Sequence, residues 1–226
     1  MLRAEAAWLA RRLEEIPTDD LSPLLSIGSG AAELRTSQPW LERLIYGPLA
    51  ERGVRVLHHE LHPGPGVDVA GDLTDPRFFE KLEELEFRSI MCCNVLEHVP
   101  DPVQLATAIE RLVGPGGYVL VSVPRRYPYH PGPIDTLFRP SVEELRRLFP
   151  ELNEESAAEI RCESLIAYLL ASPTKWASLA HGIRTFWRRG GGTSSAPGVP
   201  LRETARMVFS STAVSALVLR CYRPAA

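Results

Sequence analysis

Cysteine is scarce and unpatterned. The 226 residues hold four, Cys92, Cys93, Cys162 and Cys221. Adjacent Cys92 and Cys93 cannot form a Cys-x-x-Cys redox pair, and no metal-ligand spacing appears, so the cysteines build neither a disulfide framework nor a metal site. Long apolar runs are also missing. The longest, residues 165–171, has seven residues, far below the ~20 that span a bilayer. Residues 1–16 interleave Arg3, Glu5, Arg11, Arg12, Glu14 and Glu15 with apolar positions, unlike a secretory leader. These absences lead to the expectation of a reducing cytoplasm. Net charge is only −3, too small to imply a nucleic-acid partner by itself.

What is present fits an ordinary globular chain, with 45% apolar and 23% charged residues. The length suggests one domain with an elaboration. Proline is in excess: 20 residues, about 9% against a usual ~5%. That many fixed turns argues against a helical bundle. Charge is uneven. Residues 164–202 hold Lys175, Arg184, Arg188, Arg189 and Arg202 with no Asp or Glu, which leaves −8 on the rest.

Helical and extended patterns alternate along the chain. Residues 3–16 read as an amphipathic helix with Ala4, Ala7, Trp8 and Leu13 inward. Residues 23–27 read as a short buried strand. Ser37 reads as an N-cap, and Leu41, Leu44, Ile45 and Leu49 carry helical spacing that Pro48 must kink or end. Strands are expected over 54–60, 88–94 and 118–123, with a short extended piece at 67–69. Asp101-Pro102 opens a helix carrying Val103, Ala106, Ile109 and Val113. Ser141 and Glu144 form a capping box. Residues 157–163 fit strand or helix. The alternation indicates an α/β fold with a doubly wound, mostly parallel sheet and a helical insertion before the last strand. The expected layout is an N-terminal helix over 1–21 and a core over 22–163. A basic, aromatic insertion with a flexible loop covers 164–212, and a closing strand covers 213–226.

In such a sheet ligands bind beyond the carboxyl ends of the strands. The residues there are Gly28 and Gly30, then Glu60, Asp72, Asn94 with Glu97 and His98, and the stretch 124–139. Gly28-x-Gly30 permits close backbone approach to an anionic group, or is a structural turn. Glu60 suits the acid that binds ribose hydroxyls, or is a solvated strand end. Asp72 suits an adenine amine with Leu73 packed on the ring, or is a turn residue. His58, His59 and His62 invite a metal reading, but on a strand His58 and His59 face opposite sides.

The combination resembles the class I S-adenosylmethionine-dependent methyltransferases over roughly residues 22–150. LLSIGSGAAEL (24–34) is similar to their first glycine motif, and GDLTDP (71–76) to their adenine-binding segment. The most specific stretch is NVLEHVPDPVQLATAIERLVGPGGYVLVSVP (94–124). YPYHPGPIDTLFRP (127–140) is similar to a segment on the substrate side. Two positions depart from the pattern: Ser26 stands where Asp or Glu is common, and Ala32 where a third glycine is. The resemblance implies a Rossmann-like methyltransferase fold, S-adenosyl-L-methionine as cofactor and S-adenosyl-L-homocysteine as product. It implies cofactor contacts from Ser26, Gly28, Ser29, Gly30, Glu60, Leu61, Asp72, Leu73 and Asn94.

Methyl transfer from a sulfonium asks the protein mainly for orientation, a dry site and charge complementarity, so no metal is expected. A hydroxyl acceptor needs a base, and His98 and His130 are the candidates. Tyr129, Asp135 and Arg139 are expected at a small-molecule acceptor, a sugar, lipid-linked intermediate or natural product methylated at oxygen or nitrogen. Residues 174–189 combine Trp176, Phe186 and Trp187 with basic residues. They read either as a cap helix or as a peripheral membrane contact. The alternative for the whole chain is a non-catalytic binding or scaffold protein. Ser26 and Ala32 motivate it; Glu60, Asp72 and the Leu96-Glu97-His98 corner oppose it.

Overall fold

A computed structural model of the chain describes residues 1–29, 32–127, 134–164, 167 and 211–222. Helix α1 (Arg3–Glu15) opens it, and a short α2 (Thr18–Leu21) leads into β1 (Leu24–Ile27). Then come α3 (Ala32–Ser37), α4 (Pro39–Leu41), a π-helical turn (Glu42–Tyr46) and α5 (Gly47–Glu51). Strands β2 (Val56–Glu60) and β3 (Val69–Ala70) precede α6 (Pro76–Glu83) and β4 (Ser89–Cys93). A 3-10 turn (Leu96–His98) and α7 (Pro102–Leu112) connect β4 to β5 (Tyr118–Arg126). Helix α8 (Val142–Arg146), β6 (Asn153–Ser164) and β7 (Ser211–Arg220) complete the described elements.

Among the described residues the seven strands form one sheet in the order β3-β2-β1-β4-β5-β7-β6. The first five are mutually parallel, and β7 runs antiparallel to both β5 and β6. This is the doubly wound, mostly parallel sheet expected from the alternation. Winding reverses between β1 and β4, which hydrogen-bond to each other, so a crevice opens at their carboxyl ends. Strand β6 runs in the same direction as β5, so the chain leaves Ser164 at that same end of the sheet and returns at its partner Ser211.

Strand alternation divides the core between two faces. Leu25, Ile90, Cys92, Val119 and Val121 point to the face covered by α6, α7 and α8, through Phe79, Leu82, Ile109 and Leu145. Leu24, Met91 and Leu120 point to the other face, covered by Leu9 and Leu13 of α1, Ile45 and Leu49. Each fully buried Leu or Ile contributes about 1.5–3 kcal/mol by leaving water. Both faces of β4 are therefore apolar, as its unbroken run of small and branched side chains requires.

Local expectations hold in some places and shift in others. Asp101 caps α7, its Oδ1 accepting from the amides of Val103 and Gln104. The Ser141 capping box forms as expected. Residues 157–163 lie within strand β6. The stripe that α1 buries is Glu5, Ala6, Leu9 and Leu13, whereas Ala4, Ala7 and Trp8 are half-buried. Alanine suits either face of a helix, so the leucines and the Glu5 carboxylate decide the rotation. Ser37 closes α3, and Gln38 occupies the N-cap before Pro39. Pro48 does not end its helical run. The π turn before it keeps Leu41, Ile45 and Leu49 on the buried side. Val103 is 56% exposed, because Leu105 and Ala106 carry the buried face of the first turns of α7.

Leu9→Ala is expected to cost about 2–5 kcal/mol in urea unfolding. Val103→Ala is expected to stay within about 0.5 kcal/mol of the parent. Equal effects would contradict the assignment of α1 to the core.

Candidate active site

The chain turns out of β1 at Gly28, whose φ is +62°. A Cβ there would sit 2.4 Å from Val95 Cγ2, so only glycine lets the turn pass under the loop after β4. The amide of Gly28 donates to His59 O at 3.0 Å, tying the turn to β2. The next strand ends then follow in space as in sequence. Glu60 closes β2, and its carbonyl receives the Gly71 amide at 3.0 Å. Asp72 folds its own turn, with Oδ1 accepting from Thr74 N and Oγ1 at 2.8 and 2.7 Å. Asn94 closes β4 with φ +55° and directs its side-chain amide away to Glu5, at 2.8 Å.

These ends enclose a cleft of about 520 Å³ lined by Gly28, Glu60, Leu61, Asp72, Leu73, Asn94 and His98. Seven of the residues expected in the site thus border one cavity. Its remaining wall is largely apolar and includes Val95, Val99, Leu105 and Ile134. His59 also lines it, donating from Nε2 to Gly71 O at 2.9 Å. Burial holds the His59 imidazole below its ordinary pKa.

Ser26 and Ser29 lie on the other side of the Gly28 turn. They border a separate recess of about 30 Å³ with Met1, Tyr46 and Cys93. The Ser26 hydroxyl meets Tyr46 Oη at 3.1 Å, and Ser29 Oγ bridges Ser26 O and His58 Nδ1 at 3.0 and 2.8 Å. Burial, with Arg35 adding to it, pulls His58 down to about 4. The two histidines therefore face opposite sides of β2, as strand alternation requires. The first helical amide, Ala32 N, donates to Pro65 O at 2.8 Å, so the proline-glycine loop packs on the start of α3. Gly30, Tyr129, His130 and residues 174–189 lie outside the described residues.

Arg139 holds a carboxylate with both guanidinium nitrogens, and that carboxylate is Asp135. The distances are 3.0 and 2.7 Å, and the Asp135 side chain is wholly buried. Asp135 also accepts from Leu137 N. The pair fixes the turn that brings Ile134 over the cleft.

Two buried acids carry more of the local electrostatics than the sequence reading gave them. Glu5 accepts from Leu2 N, Asn94 Nδ2 and Ser122 Oγ at 3.0, 2.8 and 2.5 Å. Its sequence signal is its place on the stripe running through Leu2, Leu9 and Leu13. Glu97 is 0% exposed, and neither carboxyl oxygen has a hydrogen-bond partner among the described residues. Burial pushes its pKa from 4.5 up to about 8, the Glu5 charge adds to this, and Arg139 opposes it. Burial likewise pushes the Cys93 thiol up to about 12 and raises Cys92, so both stay protonated core groups.

Glu5→Ala strands Asn94 Nδ2 and Ser122 Oγ and is expected to cost about 3 kcal/mol or more in chemical denaturation, with Glu5→Gln milder. For Glu97 the folded pKa lies above the unfolded one. Between them the folded state binds more protons, and stability falls as pH rises. Glu97→Gln should therefore gain stability over the parent when thermal melts move from about pH 5 to about pH 8. A constant difference across that window would contradict the burial of an ionising Glu97.

Comparison with known proteins agrees with this geometry. A family profile described as a methyltransferase domain matches residues 3–171. The ubiquinone biosynthesis O-methyltransferase of Thiobacillus denitrificans is 31% identical over 104 residues, 46% of this chain and 44% of that protein. The protein of the same name from Pseudomonas aeruginosa PAO1 is 30% identical over 139 residues, 54% of this chain and 59% of that protein. The chain thus spans about half the length of the curated relatives it matches. In structure it is similar to a putative sarcosine dimethylglycine methyltransferase from Galdieria sulphuraria. The TM-score is 0.54 at 15% identity, covering 97% of this chain and 85% of that one. It is also similar to a chain from a complex of the Haloferax volcanii Trm112 methyltransferase activator and a putative methyltransferase. There the TM-score is 0.55 at 15% identity, covering 98% and 90%. With the profile covering most of its length and the sheet order and strand-end cleft in place, the chain belongs to the class I S-adenosylmethionine-dependent methyltransferase family.

Proposed function

We propose that this protein transfers a methyl group from S-adenosyl-L-methionine to an oxygen or nitrogen of a small-molecule acceptor, without a catalytic metal, leaving S-adenosyl-L-homocysteine. The observation that carries the reading is the single cleft in which Gly28, Glu60, Asp72, Leu73 and Asn94 meet at consecutive strand ends. The cleft fits the cofactor of the family. Gly28 leaves open the space that a Cβ would fill. Glu60 would accept from ribose hydroxyls, Asp72 from an adenine amine, Leu73 would pack on the base, and Asn94 would meet the methionine end. When bound, the cofactor contributes the electrophilic methyl group and its leaving sulfur.

The chain's own residues then orient the reactants and exclude water. Val95, Val99, Leu105 and Ile134 give the cleft an apolar wall. His98 borders it and would take a proton from an acceptor hydroxyl. Oxygen is favoured as the methylated atom because the curated relatives are named O-methyltransferases. Acceptor contact through Tyr129 and His130, and membrane-surface contact through 174–189, rest on the sequence. No helix among the described residues is long and apolar enough to cross a membrane.

Calorimetry with S-adenosyl-L-methionine and S-adenosyl-L-homocysteine should show saturable binding to the unmodified protein. Gly28→Val should abolish it. Glu60→Ala, losing charge-assisted hydrogen bonds, should weaken it about tenfold to a hundredfold. No binding of either ligand at about millimolar concentration would overturn the reading in favour of a non-catalytic protein of the same fold.

A further inference from the structure

The 3-10 turn Leu96–His98 carries two titratable side chains in succession, one on the cleft wall and one behind it. His98 has 23% of its side chain exposed, whereas Glu97 has none. The His98 Nδ1 atom hydrogen-bonds to the Ile134 carbonyl oxygen. A carbonyl only accepts, so Nδ1 carries the hydrogen and Nε2 holds the lone pair of the neutral ring. That Nε2 lies 3.7 Å from Glu97 Oε1. The same segment is pinned again behind the ring, where Thr136 N and Oγ1 donate to Glu97 O at 2.9 and 3.1 Å. Both residues of the turn are therefore held against 134–136, which fixes the ring relative to the carboxyl.

We propose that Glu97 is a positioning residue for His98: at the edge of the cleft, the Glu97 carboxylate balances the imidazolium that forms when His98 accepts a proton. A buried carboxyl with no hydrogen-bond partner is costly unless it is neutral or faces a cation. Here a proton on either side chain meets one of the two conditions. On Glu97 it makes the acid neutral, and on His98 Nε2 it places a cation opposite the carboxylate. Other groups face Glu97 as well. Glu5 from α1 favours the protonated acid, whereas Arg139 and the amino terminus favour the carboxylate. The thiols of Cys92 and Cys93 on β4 and the Tyr127 hydroxyl after β5 also interact with it. Burial pushes all three toward their neutral forms.

The role in methyl transfer rests on the function proposed above. The O–H bond of the acceptor breaks, its proton passes to His98 Nε2, and the electron pair stays on the oxygen that takes the methyl group. Nδ1–H remains on Ile134 O throughout, so the ring keeps its orientation while it gains charge. That charge appears 3.7 Å from the Glu97 carboxylate, where burial strengthens the attraction. A protonated Glu97 offers no such balance, so proton acceptance by His98 should strengthen as pH rises through the Glu97 midpoint of about 8.

The coupling can be read without any acceptor. Full-length protein labelled with 15N-histidine is titrated by NMR, with His98→Gln used to assign the His98 ring. In Glu97→Gln the His98 titration curve should be displaced by about one pH unit or more from that of the unmodified protein. Superimposable curves would overturn the proposal. If Glu97→Gln fails to fold, the 13C titration of the Glu97 carboxyl in His98→Gln reads the same coupling, since linkage is reciprocal. An unmoved carboxyl midpoint there would be equally decisive. Glu97 does not line the cleft, so Glu97→Gln should bind S-adenosyl-L-homocysteine as the parent does. A parent that binds none refutes the methyltransferase function, while the titrations still decide whether the two side chains are coupled.

Discussion

Three hydrogen bonds converge on the Glu5 carboxylate, from Leu2 N, Asn94 Nδ2 and Ser122 Oγ. The acceptor belongs to α1, and two of the donors are Asn94, just past the end of β4, and Ser122, within the neighbouring parallel strand β5. The helix is thereby fastened to the working end of the sheet by a charge in a place that water does not reach. Removing the carboxylate would leave an amide and a hydroxyl buried without partners, at the full desolvation cost of each. It would also free Asn94, which sits at φ +55° between β4 and the cleft. A left-handed residue that is not glycine persists where its surroundings over-determine it. Here the determinants are the Glu5 contact on the side chain and Ser122 O on the amide.

Glu97 lies close enough to feel the Glu5 charge, yet its situation is the reverse. Glu5 accepts three hydrogen bonds. Glu97 accepts none among the described residues, and burial pushes it toward the neutral form. Two carboxyls of the same chemistry thus stand in different surroundings, one met by donors and the other desolvated without them. The satisfied acid shapes the site; the unsatisfied one stands behind the imidazole that borders it.

The strand-end residues are legible in the sequence because a parallel sheet imposes a simple rule. Each buried strand is a near-continuous apolar run, so the first polar residue after it marks the carboxyl end. Asn94 follows that rule after β4, Glu60 and Asp72 stand at or just past the ends of β2 and β3, and His98 comes one turn further on; all four meet in one cleft. Glu5 does not follow it. Its neighbours are alanines, which accept either face of a helix. The leucines set the buried stripe, but the donors that meet Glu5, nearly ninety and more than a hundred residues away, are not visible in that pattern. The Arg139–Asp135 fork shows the complementary limit. Residue type announces bidentate recognition of a carboxylate but not that the carboxylate stands four positions back in the same chain.

Gly28 separates two environments, and their contrast explains why Ser26 and Ser29 behave unlike the other expected site residues. On the recess side, Ser26, Ser29, Tyr46 and His58 form a closed set of hydroxyls and an imidazole. Burial drives Tyr46 up to about 12 and His58 down to about 4, so both are neutral between those limits. That network sets the shape of the β1 turn without contributing charge. On the cleft side stand the carboxylates of Glu60 and Asp72 together with His98. A carboxylate at position 26 would put a charge into a recess only large enough for about one water, beside a tyrosine that cannot readily ionise. Serine at this position therefore keeps the turn neutral and leaves recognition to the cleft. The buried carboxylate that meets Asn94 and Ser122 comes from α1 instead.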